Sequence, residues 1–84
     1  MDKELLLRET IYKSIHRGCK ENDILIGDFA RSELYKLSEE DLSIYTSFLK
    51  EDDVDIYDWI LKKQTFPKRY NNIMNLIQKF HNIT

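Results

Sequence analysis

The sequence predicts an all-α fold, a compact five-helix bundle forming a single domain over residues 1–84. Three observations carry this expectation. Only two glycines and one proline punctuate the chain, too few for a turn-rich β fold. Apolar residues recur at three- and four-residue intervals through most of its length, the period of a helix with one buried face. Its 84 residues leave room for one core and no second domain.

The first helix is expected from about Lys3 to Arg17, where Leu7, Ile11 and Ile15 repeat at i+4. Acids stand near its start and Lys13, His16 and Arg17 near its end, which complements the helix dipole. Gly18 suits the left-handed stop position, where a residue without Cβ meets no steric penalty. The second helix is expected from about Asn22 to Leu37, with Asn22 as cap and Leu25, Ile26, Phe29, Ala30, Leu34 and Leu37 on one face. Gly27 within it costs about 1 kcal/mol relative to alanine, so it marks either a close approach of another helix or a break.

Ser38-Glu39-Glu40-Asp41 opens the third helix with a variant capping box, and Leu42, Tyr45, Phe48 and Leu49 supply its stripe. The fourth is short, from about Val54 to Lys63 after an acidic start, with Ile56, Trp59 and Ile60 inward. Pro67 lies past its end. The fifth runs from about Lys68 to His81, with Tyr70, Ile73, Met74, Ile77 and Phe80 on one face.

Composition excludes several classes of function. A formal net charge of −2 opposes phosphate-backbone neutralisation as a general role. One cysteine makes no internal disulfide, so a reducing compartment fits. The longest apolar runs, at Leu5–Leu7 and Ile24–Ile26, are far shorter than a membrane span. No signal-peptide core appears, and Asp2, Glu4 and Glu9 oppose a transit peptide. The expected location is the cytoplasm of a bacterium, or the mitochondrial matrix for a processed organelle protein.

Candidate chemistry is sparse. Cys19 lies beside Arg17 and Lys20, which favours a thiolate, yet neither a His–Asp pair nor a second cysteine supports nucleophilic or redox chemistry. His16, Cys19 and His81 lack the spacing of a zinc site. Asp53, Asp55 and Asp58 lack the glycine and glutamate of an EF-hand. No catalytic residue and no metal site are therefore expected. Lys62, Lys63, Lys68 and Arg69 form a modest basic patch, which leaves a small helical nucleic-acid-binding domain as the alternative function. The remaining candidate is the charged knuckle of Arg17, Gly18, Glu21 and Asp23. Its plain reading is helix ends matched to their dipoles, and its functional reading is a charged corner presented to a protein partner.

The knuckle and its downstream neighbours also resemble a known family. Arg17-Gly18-x-x-Glu21-x-Asp23, then Leu34-x-x-Leu37-Ser38, Phe48-Leu49 and Asp52-Asp53-x-Asp55-Ile56-Tyr57-x-Trp59 are similar to the succinate dehydrogenase assembly factors. These are FAD assembly factors, or flavinators, of the SdhE type. The likeness runs from about Ile15 to Ile77. His16 stands where relatives often carry another arginine, and Cys19 where they often carry methionine. The resemblance implies a five-helix fold and a non-enzymatic, chaperone-like role in covalent attachment of FAD. It implies as partner the flavoprotein subunit of succinate dehydrogenase, with fumarate reductase as a second candidate. The FAD belongs to that partner, and none is held stably by this chain. Arg17, Gly18, Glu21 and Asp23 would bind the partner, and Asp53, Asp55, Tyr57 and Trp59 would form a second, mainly structural motif.

Overall fold

Five α-helices are seen in the computed structural model, which describes residues 3–15 and 20–83. They are α1 (Lys3–Ile15), α2 (Lys20–Glu33), α3 (Glu39–Phe48), α4 (Asp53–Ile60) and α5 (Asn71–Phe80), with 3₁₀ turns at Leu34–Lys36 and Lys68–Tyr70. No strand occurs among the described residues. The expected all-α, five-helix architecture is present, and several boundaries move. The second helix starts two residues earlier than expected and tightens into a 3₁₀ turn after Glu33. The fifth begins with such a turn before becoming α-helical. The expected stop at Gly18 lies outside the described residues.

One cluster of buried side chains joins α2 to α5. Ile26, Phe29 and Ala30 of α2 meet Leu42, Tyr45 and Phe48 of α3, Ile56, Trp59 and Ile60 of α4, and Ile73, Met74 and Ile77 of α5. Ring contacts run through its centre: Phe29–Tyr45 at 6.0 Å, Tyr45–Phe48 at 5.9 Å and Phe48–Tyr70 at 5.5 Å between centroids. Trp59 sits 5.9 Å from Tyr70, as expected of a core aromatic. The radius of gyration is 11.8 Å, the ~12 Å that a fully collapsed chain of this length should have.

Helix α1 packs with the face its apolar repeat suggested, and small polar residues of that same face go deepest. Thr10 and Ser14 are its buried residues, while Leu7, Ile11 and Ile15 are half-buried. The small polar residues tolerate burial because their hydroxyls donate to the carbonyls four residues back, Thr10 to Leu6 at 2.7 Å and Ser14 to Thr10 at 2.8 Å. The Ser14 hydroxyl also bonds the Tyr45 hydroxyl at 2.8 Å, tying α1 to α3. Gly27 does not break α2. A Cβ there would lie 3.5 Å from Ile15 Cγ1, an ordinary contact distance, so α1 packs beside the glycine with room for a methyl.

Capping chemistry explains the turns. The Ser38 side chain accepts from Asp41 N at 3.1 Å and starts α3. Helices α4 and α5 end alike. After α4, Lys62 N donates to Trp59 O and Lys63 N to Asp58 O, with Lys62 at φ 63°. After α5, Asn82 N donates to Lys79 O and Ile83 N to Gln78 O, with Asn82 at φ 58°. Both are Schellman stops with a left-handed residue other than glycine. Buried Gln78 adds side-chain bonds to Trp59 O at 3.2 Å and Ile60 O at 3.3 Å, tying α5 to the end of α4.

Candidate functional site

Two sequence motifs, 31 residues apart, meet at one corner. Glu21, Asn22 and Asp23 occupy the first turn of α2, and Asp53, Val54 and Tyr57 the first turns of α4. The joint is Asn22. Sequence reasoning made it the cap of α2, but the helix already runs from Lys20, and Asn22 is fully buried within it. Its amide nitrogen donates to Asp53 O at 2.9 Å and to Asp53 Oδ1 at 3.3 Å. The capping reading is corrected for a geometric reason. The side chain turns across to a neighbouring helix, and that helix's first carboxylate and carbonyl take its two N–H groups. Asn22 Oδ1 is buried with no hydrogen-bond partner among the described residues.

The predicted partner-binding residues divide. Arg17 and Gly18 lie outside the described residues. Glu21 is exposed on the outer side of α2 and Asp23 is half-buried. Both contribute negative charge to the first turn, where the helix dipole favours it. In the second motif Trp59 is buried with 7% of its surface accessible, which is a structural role. Asp53 and Asp55 are acids of the first turn of α4. Tyr57 is half-buried, with Lys63 Nζ 5.1 Å from its ring centroid.

Glu21, Asp53, Val54 and Tyr57 together line a shallow depression of about 310 Å³. Sequence reasoning gave Val54 no role, yet 69% of it is exposed. The signal was present in the register. Val54 lies on the side of α4 away from Ile56, and half-buried Tyr57, three residues on, flanks it. On the far side of Asp53 a larger groove of about 470 Å³ opens between α1 and α3, lined in part by Leu6, Tyr12, Lys13 and Leu49.

The basic patch is divided among structural duties. Arg69 pairs with Glu51 at 3.0 Å and its guanidinium lies 4.8 Å from the Tyr70 ring centroid. The Tyr70 hydroxyl donates to the same carboxylate at 2.6 Å. That bond, with the guanidinium beside it, holds the Glu51 carboxyl below its ordinary range. Burial, with the Glu51 bond, pushes the Tyr70 hydroxyl up. Nothing in this arrangement supports nucleic-acid binding. Among the described residues, no helix is long and apolar enough to cross a membrane.

Comparison with known proteins covers the stretch that holds both motifs. The family described as flavinator of succinate dehydrogenase matches residues 8–81. The chain is 40% identical over 76 residues to the mitochondrial succinate dehydrogenase assembly factor 2 of Dictyostelium discoideum, covering 89% of this chain and 54% of that protein. It is 39% identical over 75 residues to the protein of that name in Saccharomyces cerevisiae, covering 83% of this chain and 46% of the relative. For the Cryptococcus neoformans protein the figures are 32% over 80 residues, 93% and 46%. The chain thus spans about half the length of these curated relatives. The family match takes in both α2, with its Glu21 turn, and α4, with its Asp53 turn, and reaches into the end of α5. On that match the chain belongs to the family of flavinators of succinate dehydrogenase.

Proposed function

We propose that this chain acts as one flavinylation-factor domain, which binds the flavoprotein subunit of succinate dehydrogenase and promotes covalent attachment of FAD to it. The observation that carries the reading is the family match over residues 8–81, joined to relatives named as assembly factors of that enzyme. Arg17, Gly18, Glu21 and Asp23 are its partner-facing residues. Fumarate reductase is a second candidate client. The relatives are named mitochondrial, which favours the matrix over the cytoplasm as the place of action.

The mechanism is differential binding. The reacting atoms, a histidine nitrogen and the flavin methyl carbon, belong to the partner and its FAD. This chain contributes no catalytic group and holds no FAD stably. Its core of interlocked rings makes a rigid body, and the Glu21 corner is held to that body by the Asn22–Asp53 bonds. A rigid binder that prefers the attachment-competent arrangement shifts the partner's population toward it by its difference in affinity for the two states. Correct placement of histidine against flavin then lowers the barrier by several kcal/mol through orientation alone.

The test is reconstitution. Purified flavoprotein subunit and FAD are incubated with wild-type chain, Gly18→Arg or Glu21→Ala, and covalent flavin is read by fluorescence in denaturing gels. Wild-type chain should raise the covalent signal, and both variants should fold yet raise it less. A stably folded Gly18→Arg chain that supports normal flavinylation refutes the assignment of the corner. A wild-type chain without effect refutes the function.

A further inference from the structure

We propose that α1 is a detachable strap: it opens as a unit from a body of α2–α5 that stays folded, and the hydroxyl bond between Ser14 and Tyr45 is its latch.

The apolar core leaves α1 outside. Among the described residues, every buried apolar side chain belongs to the stretch from Ile26 to Ile77. The buried residues of α1 are the polar Thr10 and Ser14. Leu6, Leu7 and Ile11 lie half-buried against the core, and Leu5 and Tyr12 are 52% and 62% exposed. Burial stabilises in proportion to the apolar area removed from water, so α2–α5 keep most of their stabilisation when α1 leaves.

The seams of α1 are loose or polar. It packs chiefly along α2, with room for a methyl at Gly27. The groove of about 470 Å³ separates it from the end of α3, with Leu6 and Lys13 on one wall and Leu49 and Lys50 on the other. Two bonds reach the body from its two ends. Lys3 Nζ donates to Leu37 O at 3.4 Å, and Ser14 meets Tyr45 at 2.8 Å. The Ser14 hydrogen goes to Thr10 O, so the Tyr45 hydroxyl is the donor to Ser14 Oγ. The Thr10–Leu6, Ser14–Thr10 and Arg8–Glu4 bonds are internal to α1 and travel with it.

The body is tied together without α1. Asn22 joins α2 to α4, Gln78 joins α5 to α4, and His81 Nε2 donates to Leu25 O at 2.7 Å, joining the end of α5 to α2. The Glu21 corner therefore keeps its brace while α1 is open. A free helix of 13 residues is marginal in water, so the amides of α1 exchange once it detaches.

Native-state hydrogen exchange of the full chain, followed by NMR at increasing sub-denaturing urea, reads the opening of each amide. The slowest amides of α1 should exchange about tenfold or more faster than the slowest of α2–α5, with a shallower dependence on urea, because opening one helix exposes less surface than global unfolding. Ser14→Ala should speed α1 exchange about fivefold or more by leaving the Tyr45 hydroxyl without this acceptor. Tyr45→Phe, which removes the hydroxyl and keeps the ring, serves if Ser14→Ala does not fold. Gln78→Leu should speed the slowest amides of α2–α5 about tenfold and leave α1 unchanged, since the Gln78 bonds are intact whether or not α1 is attached. Amides of α1 as slow as those of the body, or sped equally by Gln78→Leu, mean one cooperative unit and overturn the strap. Fast α1 exchange that both hydroxyl variants leave unchanged overturns the latch. The urea slopes decide between strap and single unit on their own if Gln78→Leu proves as stable as wild type.

Discussion

Replacing Gln78 tests whether the end of α4 is held by side-chain donors from α5. Gln78 is 7% exposed, and its amide nitrogen reaches Trp59 O and Ile60 O. Trp59 O also accepts from Lys62 N, so Gln78→Leu leaves it one partner. Ile60 O would be left with no bond of the kind Gln78 supplies. A buried carbonyl without a donor costs about 1–3 kcal/mol, and the second lost bond adds about 1 kcal/mol. The gain from burying leucine in place of an amide offsets about 1 kcal/mol of this. The net loss is then about 2 kcal/mol, which for a chain of this size lowers Tm by about 8–16 °C.

Gln78→Glu makes the test sharper. A carboxylate there would face two carbonyl oxygens at the negative end of a helix, so burial and repulsion both raise its folded-state pKa above the ordinary ~4.3 of glutamate. The sign follows from linkage. The folded state binds this proton more tightly than the unfolded state, so stability is lost as pH rises from about 4.3 through the raised folded value. When protonated, the side chain regains one donor. Thermal or urea melts should therefore show Gln78→Glu less stable than Gln78→Leu at pH 7, with its deficit relative to wild type narrowing toward pH 4.3. A deficit independent of pH, or a Gln78→Leu chain as stable as wild type, refutes the reasoning.

Three further outcomes are expected. Lys62 sits at φ 63°, where a Cβ costs about 1–2 kcal/mol. After allowing for the greater unfolded freedom of glycine, Lys62→Gly should raise stability by about 0.5–1 kcal/mol in denaturant melts. Gly27→Ala should fold and gain up to about 1 kcal/mol in helix propensity, because the added methyl meets Ile15 at ordinary contact distance, 3.5 Å. Crowding at that contact would appear as destabilisation in the same melts. Glu51 titrates below its ordinary value of 4.5, chiefly through the Tyr70 bond, so the stability it confers is present above that value and lost as pH falls through the lower folded pKa. Tyr70→Phe should move its titration up toward the ordinary value, followed by the Glu51 side-chain carboxyl signal in NMR.

Fold class was legible because helical period and scarce breakers agree along the whole chain. Ile56, Trp59 and Ile60, like Ile73, Met74 and Ile77, were placed inward by spacing alone and are buried. Helix ends were less legible where two stop signals were absent. Lys62 ends α4 in a conformation that glycine would advertise, so sequence reasoning ran the helix on to Lys63. Helix α1 was legible in part. Its apolar repeat lies on the packing face, where Thr10 and Ser14, bonded to their own backbone, are buried between half-buried Leu7, Ile11 and Ile15. Period reports which face packs, and it does not report which residue of that face lies deepest.

The corner itself shows why the site was harder to read than the core. Asparagine ahead of an apolar helix is an N-cap signal by its chemistry, a short acceptor beside free backbone donors. Here the same side chain, within the first turn of α2, is turned toward α4, and its N–H groups find their acceptors there. Asp53 supplies both, its carbonyl and its carboxylate, from a part of the chain 31 residues away. Local chemistry therefore could not distinguish a cap from a brace. Only the packing of α2 against α4 decides it. That decision makes the two motifs one rigid surface, so a change at Asp53 should disturb the presentation of Glu21 as directly as a change in its own turn.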